Sequence, residues 1–207
     1  MSTNYQLLLD NELKLIQQQN LKPTLLLHAC CAPCSSYVLE YLNKYFNITV
    51  YFYNPNISSC DEYYKRAEEL KRLCREMKLD DVKVVIEDYN NTPFEDLAKG
   101  LENEPERGRR CVKCYSLRLQ TSAIYASKNN FDYFTTTLTI SPLKNAQLLN
   151  EIGAQMSEIY GVKYLFSDFK KREGYKRSIE LSKIYDLYRQ DFCGCEYSKS
   201  KNMERST

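Results

Sequence analysis

Three thiols lie within five positions of one another, at Cys30, Cys31 and Cys34, directly after the apolar run 25–27. A short apolar run that leads into a proline-containing loop is typical of a buried parallel strand. Open α/β sheets bind their ligands at the carboxyl ends of such strands. One buried cysteine is usually structural, but three thiols around a turn favour metal or redox chemistry. This stretch alone does not distinguish between those two.

Two further cysteine pairs occur much later in the chain. Cys111 and Cys114 have the C-x-x-C spacing that recurs in zinc, iron–sulfur and redox sites. If a helix begins there, Arg118 shares their face. Cys193 and Cys195 flank one glycine, and a disulfide between them would close a small, strained ring that is easily reduced. The residues leave open whether this last pair is redox-active or supplies two more metal ligands.

The other two cysteines carry less information. The helix predicted over 61–77 has apolar positions spaced by four, three, four and three residues, and Cys74 lies on that face. We therefore interpret Cys74 as structural. Cys60 lies at the start of the same helix, where a thiol pKa is lowered, but nothing else in the sequence supports a function for it.

Overall composition narrows the class of protein. The 207 residues suit one domain, and 29 basic against 27 acidic residues mean that any basic surface is local. A single histidine argues against a zinc hydrolase that needs several imidazoles. The polar start lacks the features of a signal peptide, and no apolar run reaches the ~20 residues of a membrane span. Clustered thiols in such a chain indicate a cytoplasmic metal-binding or catalytic protein, with no membrane partner.

Basic residues accompany the later motifs. Four arginines lie within or just after the C-x-x-C segment 107–119, and the segment 167–177 mixes basic and aromatic residues. Such mixtures suit phosphates and stacked bases, although a charged run is more often only a solvated surface. Ser141 is expected to cap a helix that begins at Pro142, since serine and proline are favoured at these two positions. A helix N-terminus forms an anion site, and Lys144 in the first turn would add positive charge to it.

Alternating strand and helix patterns predict the fold. Strands are expected over 25–27, 48–53, 82–86, 131–140 and 162–166, and Ser35 or Ser36 is expected to cap the helix after the first strand. The alternation predicts an α/β fold with a parallel sheet of about five strands and helices on both faces. We expect an N-terminal helical extension over 1–22, one α/β catalytic domain over 23–198 and a flexible tail over 199–207. A last helix is expected to end near Gln190.

Six sequence motifs in order resemble those of one known family. The chain resembles the QueH family, the cobalamin-independent epoxyqueuosine reductases of tRNA queuosine biosynthesis. The resemblance covers about 24–198, nearly the whole chain. The matching segments are 28–33, 53–57, 110–119, 136–145, 176–183 and 188–195.

The resemblance implies a fold and a set of cofactors. It implies a Rossmann-like domain of the HUP type, similar to adenine nucleotide alpha-hydrolases, that carries a [4Fe-4S] cluster. The implied cluster ligands are Cys30, Cys31, Cys111 and Cys114. It also implies that Cys193 and Cys195 form a redox-active catalytic pair, and that an additional mononuclear iron lies beside the cluster. Which thiols contact this iron stays open, and Cys34 occupies a position that varies in the family. The candidates to contact the second iron or to line the site are Cys34, His28, Tyr53, Asn54 and Asn56.

The same resemblance implies the reaction and the partners. The expected substrate is a tRNA with a GUN-type anticodon that carries epoxyqueuosine at wobble position 34, and the expected product carries queuosine. An electron donor of the ferredoxin or flavodoxin type is expected. The residues expected to contact the tRNA or its modified base are Arg110, Arg118, Ser141, Lys144, Lys176 and Arg177.

Two alternatives remain at this stage. The first is a tRNA-binding protein with a structural zinc at the same four cysteines, because thiolates suit zinc and iron–sulfur clusters alike. The second is an ATP-using tRNA thiolation enzyme of the same fold class. Such enzymes need a glycine- and serine-rich phosphate loop after the first strand, and the segment 30–34 contains no glycine. The second alternative therefore ranks low.

Overall fold

Five parallel strands form the centre of the structure, a computed structural model that describes residues 3–198. Their order across the sheet is β3-β2-β1-β4-β5. The expected α/β class with a five-stranded parallel sheet is confirmed. The strands are β1 (Thr24–His28), β2 (Asn47–Phe52), β3 (Lys83–Ile86), β4 (Tyr133–Thr136) and β5 (Lys163–Tyr164).

Seven α-helices connect and cover the strands of the described segment. Within residues 3–198, no helix combines the length and the hydrophobicity that crossing a membrane requires. The helices are α1 (Tyr5–Gln18), α2 (Ala32–Leu42), α3 (Cys60–Glu76), α4 (Thr92–Ala98), α5 (Arg109–Lys128), α6 (Ala146–Tyr160) and α7 (Gly174–Ile184).

The sheet is buried on both faces. Leu25 and Leu27 of β1 belong to a core cluster that includes residues of α1, α2 and α3. Leu26 points the other way, into a second cluster with residues of α5 and α6. All three leucines are completely buried, which explains why β1 is continuously apolar instead of alternating.

The N-terminal helix packs on the first of these clusters through Leu9, Leu13 and Ile16. It therefore shares a core with the sheet, although the division of the chain into an extension and a domain stays a prediction. The expected flexible tail, 199–207, lies outside the described residues.

The start of α2 differs from the expectation. The helix begins at Ala32 with Cys31 as its N-cap and Pro33 in its first turn. Neither Ser35 nor Ser36 is the cap. Both are buried inside the helix and donate hydrogen bonds to the carbonyls of Cys31 and Pro33, at 2.8 Å and 3.0 Å. Proline is favoured in a first turn because the N–H that it lacks has no partner there, so the helix starts directly after the thiols.

The strand expected over 131–140 is also shorter. It ends at Thr136, whose side chain accepts a hydrogen bond from the Leu138 N–H and begins a 3-10 turn over Thr137–Ile140. The next helix is capped by Asn145, which accepts from the Leu148 N–H at 3.1 Å. The expectation that Ser141 caps this helix is therefore wrong, and Lys144 precedes the first turn.

Three element ends were misjudged by the patterns. β5 covers two residues of the expected 162–166. The last helix ends at Ile184, because Asp186 has a positive φ of 44° that a helix does not continue through.

The sheet order creates a crevice beside β1. The chain runs from β1 outward through β2 and β3, and then returns to place β4 on the other side of β1. Such a switch point opens a crevice outside the carboxyl ends of the two central strands, where α/β sheets bind ligands. Cys30 follows β1 and Thr137 follows β4, and the Cys30 N–H donates to Thr137 Oγ1 at 3.3 Å. The thiol cluster therefore lies in this crevice, as its position after an apolar strand predicts.

Replacing Leu26 by alanine should lower the free energy of unfolding by about 2–5 kcal/mol, because it leaves a cavity at the centre of the sheet. Urea unfolding of the purified protein measures this. Leu21→Ala is the matched control, because Leu21 is 55% exposed and its loss should change stability by no more than about 0.5 kcal/mol. Equal effects of the two substitutions would contradict the assignment of β1 as the central strand.

Candidate metal centre and substrate cavity

Cys30, Cys31 and Cys34 form a thiol triad around the N-terminus of α2. Their sulfur atoms all lie within 4.8 Å of one another, and the Sγ atoms of Cys30 and Cys31 are 3.7 Å apart. The first-turn N–H groups and the dipole of a helix favour thiolates at this position. Three converging soft donors in a buried crevice fit a thiophilic metal such as iron or zinc. The triad includes Cys34, whose role the sequence left open.

The three thiols compete for one negative charge. Hydrogen bonds from Cys31 and Cys34 lower the pKa of Cys30 well below its ordinary value. The same contact with Cys30 raises the pKa of Cys31 to about 12 and that of Cys34 well above its usual range. One thiolate shared by three sulfurs is the expected state of such a cluster without a cation. A bound cation would allow all three to ionise.

The C-x-x-C pair lies at the start of a second helix. The condition for a shared face is met, since a helix, α5, begins at Arg109 and Cys111 is in its first turn. The backbone N–H of Arg107 donates to Cys111 Sγ at 3.3 Å. Cys114 is buried in a small cluster with Phe94 and Cys195, and burial raises the pKa of its thiol to about 12. Both cysteine motifs are thus placed at helix N-termini.

Arg118 joins the two motifs electrostatically. Its side chain is 1% exposed and interacts with Cys114, Cys30 and Cys193. Its Nη2 donates to Asn54 Oδ1, and Asn54 Nδ2 in turn donates to the Ala29 carbonyl at 2.9 Å. A permanent cation is therefore fixed between the loops that follow β1 and β2 and the thiols of α5.

Neither His28 nor Tyr53 is among the residues that line the cavity described below. Nδ1 of His28 is 2.8 Å from Thr136 Oγ1, and Nε2 is 3.1 Å from the Tyr53 carbonyl. Burial and the nearby Arg118 lower the pKa of His28 to about 3, which keeps the ring neutral. Both ring nitrogens thus have partners inside the protein. A contact of either residue with a second iron stays a prediction.

The C-x-C pair approaches the site from the C-terminal side. Lys144 Nζ lies 3.9 Å from Cys193 Sγ, and the Cys193 charge raises the pKa of Lys144. Cys195 is buried, which raises the pKa of its thiol. Gly194 between them has a φ of 109°, a conformation that favours glycine. Both thiols are free in the structure, and their redox pairing stays a prediction.

A cavity of about 720 Å³ connects these groups. Its volume lies within the range of about 300–1,000 Å³ that small-molecule sites occupy. The triad and Cys193 line it together with Asn54, Asn56, Ser141 and Lys144, and Leu143 and Tyr175 add partly exposed apolar surface. Cys111, Cys114 and Cys195 are not among its lining residues. The cavity thus brings one thiol of the C-x-C pair and the triad to one space.

Two of the arginines expected to bind tRNA are buried. Arg110 is 2% exposed, and its Nη1 donates to the carbonyls of Leu101, Glu102 and Glu104. These bonds hold the loop before α5, while Nε of Arg110 is buried without a hydrogen-bond partner among residues 3–198. Arg118 has the internal role described above but also lines the cavity.

Two further basic candidates, Lys176 and Arg177, lie on the exposed side of α7. Lys176 pairs with Glu173, and Arg177 pairs with Glu40 and Glu180. Neither lines the cavity, whereas Tyr175 and Ser178 of the same helix do. A contact of Lys176 or Arg177 with tRNA stays a prediction.

The sequence reasoning missed Arg66, which is 3% exposed and lines the cavity. A signal was present: Arg66 is three residues after Tyr63 and four before Leu70, so it lies on the buried face of α3. A charged residue on a core-facing stripe needs a partner or a ligand.

These features define a Rossmann-like α/β protein with a thiol-lined cavity at its topological switch point. The sequence model of the family described as "Epoxyqueuosine reductase QueH" matches residues 25–201. The chain belongs to this family.

Relatives named "Epoxyqueuosine reductase QueH" are similar over most of their length. The protein of Streptococcus pyogenes serotype M1 is 43% identical over 94% of this chain and 78% of its own. That of Staphylococcus epidermidis is 42% identical over 96% and 85%. The more distant protein of Thermotoga maritima is 34% identical over 88% and 93%.

Replacing Cys31 by alanine should weaken Co²⁺ binding to the metal-free protein by about tenfold or more, since even groups that only support ligands contribute about 10–100-fold. Titration under reducing conditions, followed by the thiolate-to-cobalt absorption band, measures this. Cys60→Ala is the control, because Cys60 is exposed and outside the triad. Unchanged Co²⁺ affinity in Cys31→Ala would exclude the triad as a metal site.

Proposed function

We propose that the protein is an epoxyqueuosine reductase acting on tRNA. It removes the epoxide oxygen from the cyclopentane ring of epoxyqueuosine at wobble position 34 and leaves the alkene of queuosine. The reaction consumes two electrons and two protons, and the oxygen leaves as water. The observation that carries the proposal is the cavity in which the thiol triad and Cys193 face one space, in a member of the QueH family.

We assign a [4Fe-4S] cluster to Cys30, Cys31, Cys111 and Cys114, with Cys34 beside it for an additional mononuclear iron. The donor chemistry supports this, since every candidate is a thiol at or near a helix N-terminus and Arg118 offsets the negative charge. When bound, the iron centre supplies single electrons and a Lewis acid for the epoxide oxygen.

The redox stoichiometry fits the C-x-C pair. Oxidation of the Cys193 and Cys195 thiols to a disulfide releases two electrons and two protons, which equals the demand of one turnover. Lys144 supports this role, because its Nζ lies 3.9 Å from Cys193 Sγ and places a positive charge beside the sulfur that would exchange. Reduction by a donor of the ferredoxin or flavodoxin type would restore the thiols.

The wobble base must leave the anticodon loop to reach this cavity. Proteins that act on such bases splay them out and stack them on aromatic side chains. Tyr175 and Leu143 offer apolar surface where the cavity opens, and Arg107, also on the lining, offers positive charge to a phosphate. Lys176 and Arg177 lie next to Tyr175 in sequence and extend the basic surface along α7.

The direct test is anaerobic. Iron-reconstituted protein is incubated with dithionite and an anticodon stem-loop that carries epoxyqueuosine, and the nucleoside is followed by mass spectrometry. We expect the loss of one oxygen atom, dependent on iron. An iron-loaded protein that leaves the nucleoside unchanged would contradict the proposal.

A structural zinc is the second candidate. The 3.7 Å between the sulfurs of Cys30 and Cys31 is also the spacing expected around one tetrahedral ion with metal–sulfur bonds of about 2.3 Å. Elemental analysis of the anaerobically purified protein separates the two. A brown, iron- and sulfide-containing protein favours the reductase, and a colourless protein with one zinc favours the structural site.

Substituting both Cys193 and Cys195 by serine should lower the single-turnover rate by at least about tenfold, equivalent to 1.4 kcal/mol of activation free energy, while iron content stays unchanged. The control is the double variant Cys60→Ser, Cys74→Ser, which removes two thiols outside the site. Full activity of the Cys193→Ser, Cys195→Ser protein would exclude the relay role of this pair.

A further inference from the structure

Two residues that line the cavity each have one buried polar atom without a partner. Among residues 3–198, neither Nη2 of Arg66 nor Oδ1 of Asn56 has a hydrogen-bond partner. The two side chains are 3% and 2% exposed, and both residues line the cavity. An unmade hydrogen bond at a buried group costs about 1–3 kcal/mol. Two such atoms in residues that line one cavity indicate a place where a ligand binds.

The remaining atoms of both side chains hold them in position. Arg66 Nε donates to Glu62 Oε1 at 2.6 Å, and Arg66 Nη1 donates to the Cys193 carbonyl at 3.3 Å. Asn56 Nδ2 donates to the same carbonyl at 3.4 Å. The two side chains therefore meet at one carbonyl, next to the C-x-C pair. A Cβ on Gly194 would be 3.2 Å from Arg66 Nη1, so glycine permits this close approach.

The chemistry of the two atoms defines what they bind. Nη2 is a donor with a positive charge, and Oδ1 is an acceptor without a proton. A phosphate or carboxylate would satisfy Arg66 but offers no proton to Asn56. A hydroxyl group accepts from one and donates to the other, so it satisfies both.

We propose that Arg66 and Asn56 bind a hydroxyl group on the cyclopentane ring of the modified base, with Nη2 donating to it and Oδ1 accepting from it. This inference rests on the proposed function, since the hydroxyl-bearing ring distinguishes epoxyqueuosine and queuosine from guanosine. The pair fixes the ring next to Cys193 and selects the modified base. Arg66 and Asn56 are thus specificity residues for the reaction.

Binding of two anticodon stem-loops tests the pair. Iron-loaded protein is titrated with a stem-loop that carries queuosine at position 34 and with the same stem-loop carrying guanosine. The ratio of the two dissociation constants is compared in the wild type, Arg66→Met and Asn56→Leu. The control is Ser58→Ala, because the Ser58 hydroxyl donates to the Gly194 carbonyl at 3.3 Å and supports the same loop without lining the cavity.

We expect the wild type to prefer queuosine. Arg66→Met should reduce that preference about tenfold, since it removes a hydrogen bond to a charged group, and Asn56→Leu about fivefold, since it removes a hydrogen bond between neutral groups. Binding of the guanosine stem-loop should not change, and Ser58→Ala should keep the wild-type ratio. Unchanged preference in a folded, iron-loaded Arg66→Met protein would overturn the inference. An equal loss of preference in Ser58→Ala would also overturn it, because the effect would then come from the loop that carries Gly194 and not from the pair.

The ribose offers a second source of a hydroxyl group. If the pair bound the 2′-hydroxyl, Arg66→Met would weaken both stem-loops equally, and a 2′-deoxy nucleotide at position 34 would abolish that effect. This result would overturn the assignment to the ring while leaving the proposed reaction intact. If the wild type reduces epoxyqueuosine but the Arg66 test fails, the proposed function stands and only this inference is lost. If the wild type shows neither reductase activity nor a preference for queuosine, the proposed function and the inference are both contradicted.

Discussion

The buried cation of Arg118 is the interaction on which the arrangement of the site depends. Thiolates in a low-dielectric crevice repel one another and lose their hydration, so they require a positive partner. Arg118 supplies that charge between Cys30 and Cys114. Its hydrogen bond to Asn54, and the bond from Asn54 to the Ala29 carbonyl, link the loops after β1 and β2 to α5. One side chain thus both offsets charge and holds three elements together.

Most of the fold followed from sequence periodicity. The parallel sheet and the buried apolar strand before the thiols were predicted correctly, because strand and helix patterns alternate regularly along the chain. The errors lie at element ends, because local hydrogen bonds determine the residue at which a strand or helix stops. Thr136 stops β4 by accepting from the Leu138 N–H, and Asn145 caps α6 in place of Ser141. Both threonine and asparagine compete for nearby backbone groups, and that competition depends on tertiary contacts that a pattern does not contain.

Spacing singled out Cys30, Cys31 and Cys34 as one cluster, and the structure brings their sulfurs together. The grouping of Cys30 and Cys31 with Cys111 and Cys114 came from the family resemblance and stays a prediction. Arginines near the thiols were interpreted as binding an anion, whereas Arg110 donates hydrogen bonds to backbone carbonyls. Arg66 was missed among the three arginines of α3, although its spacing from Tyr63 and Leu70 places it on the buried face. Spacing predicts which residues are neighbours along the chain, but not which polar atoms remain without partners.

The central claim is that thiols from distant parts of the chain hold one iron centre in the crevice beside β1. Anaerobic crystals of the iron-reconstituted protein, measured at the iron absorption edge, test it most directly. We expect the anomalous density to lie within bonding distance of the sulfurs of Cys30, Cys31, Cys111 and Cys114. Density confined to the thiol triad with Cys111 and Cys114 uncoordinated, or density bound to none of these sulfurs, would contradict the account.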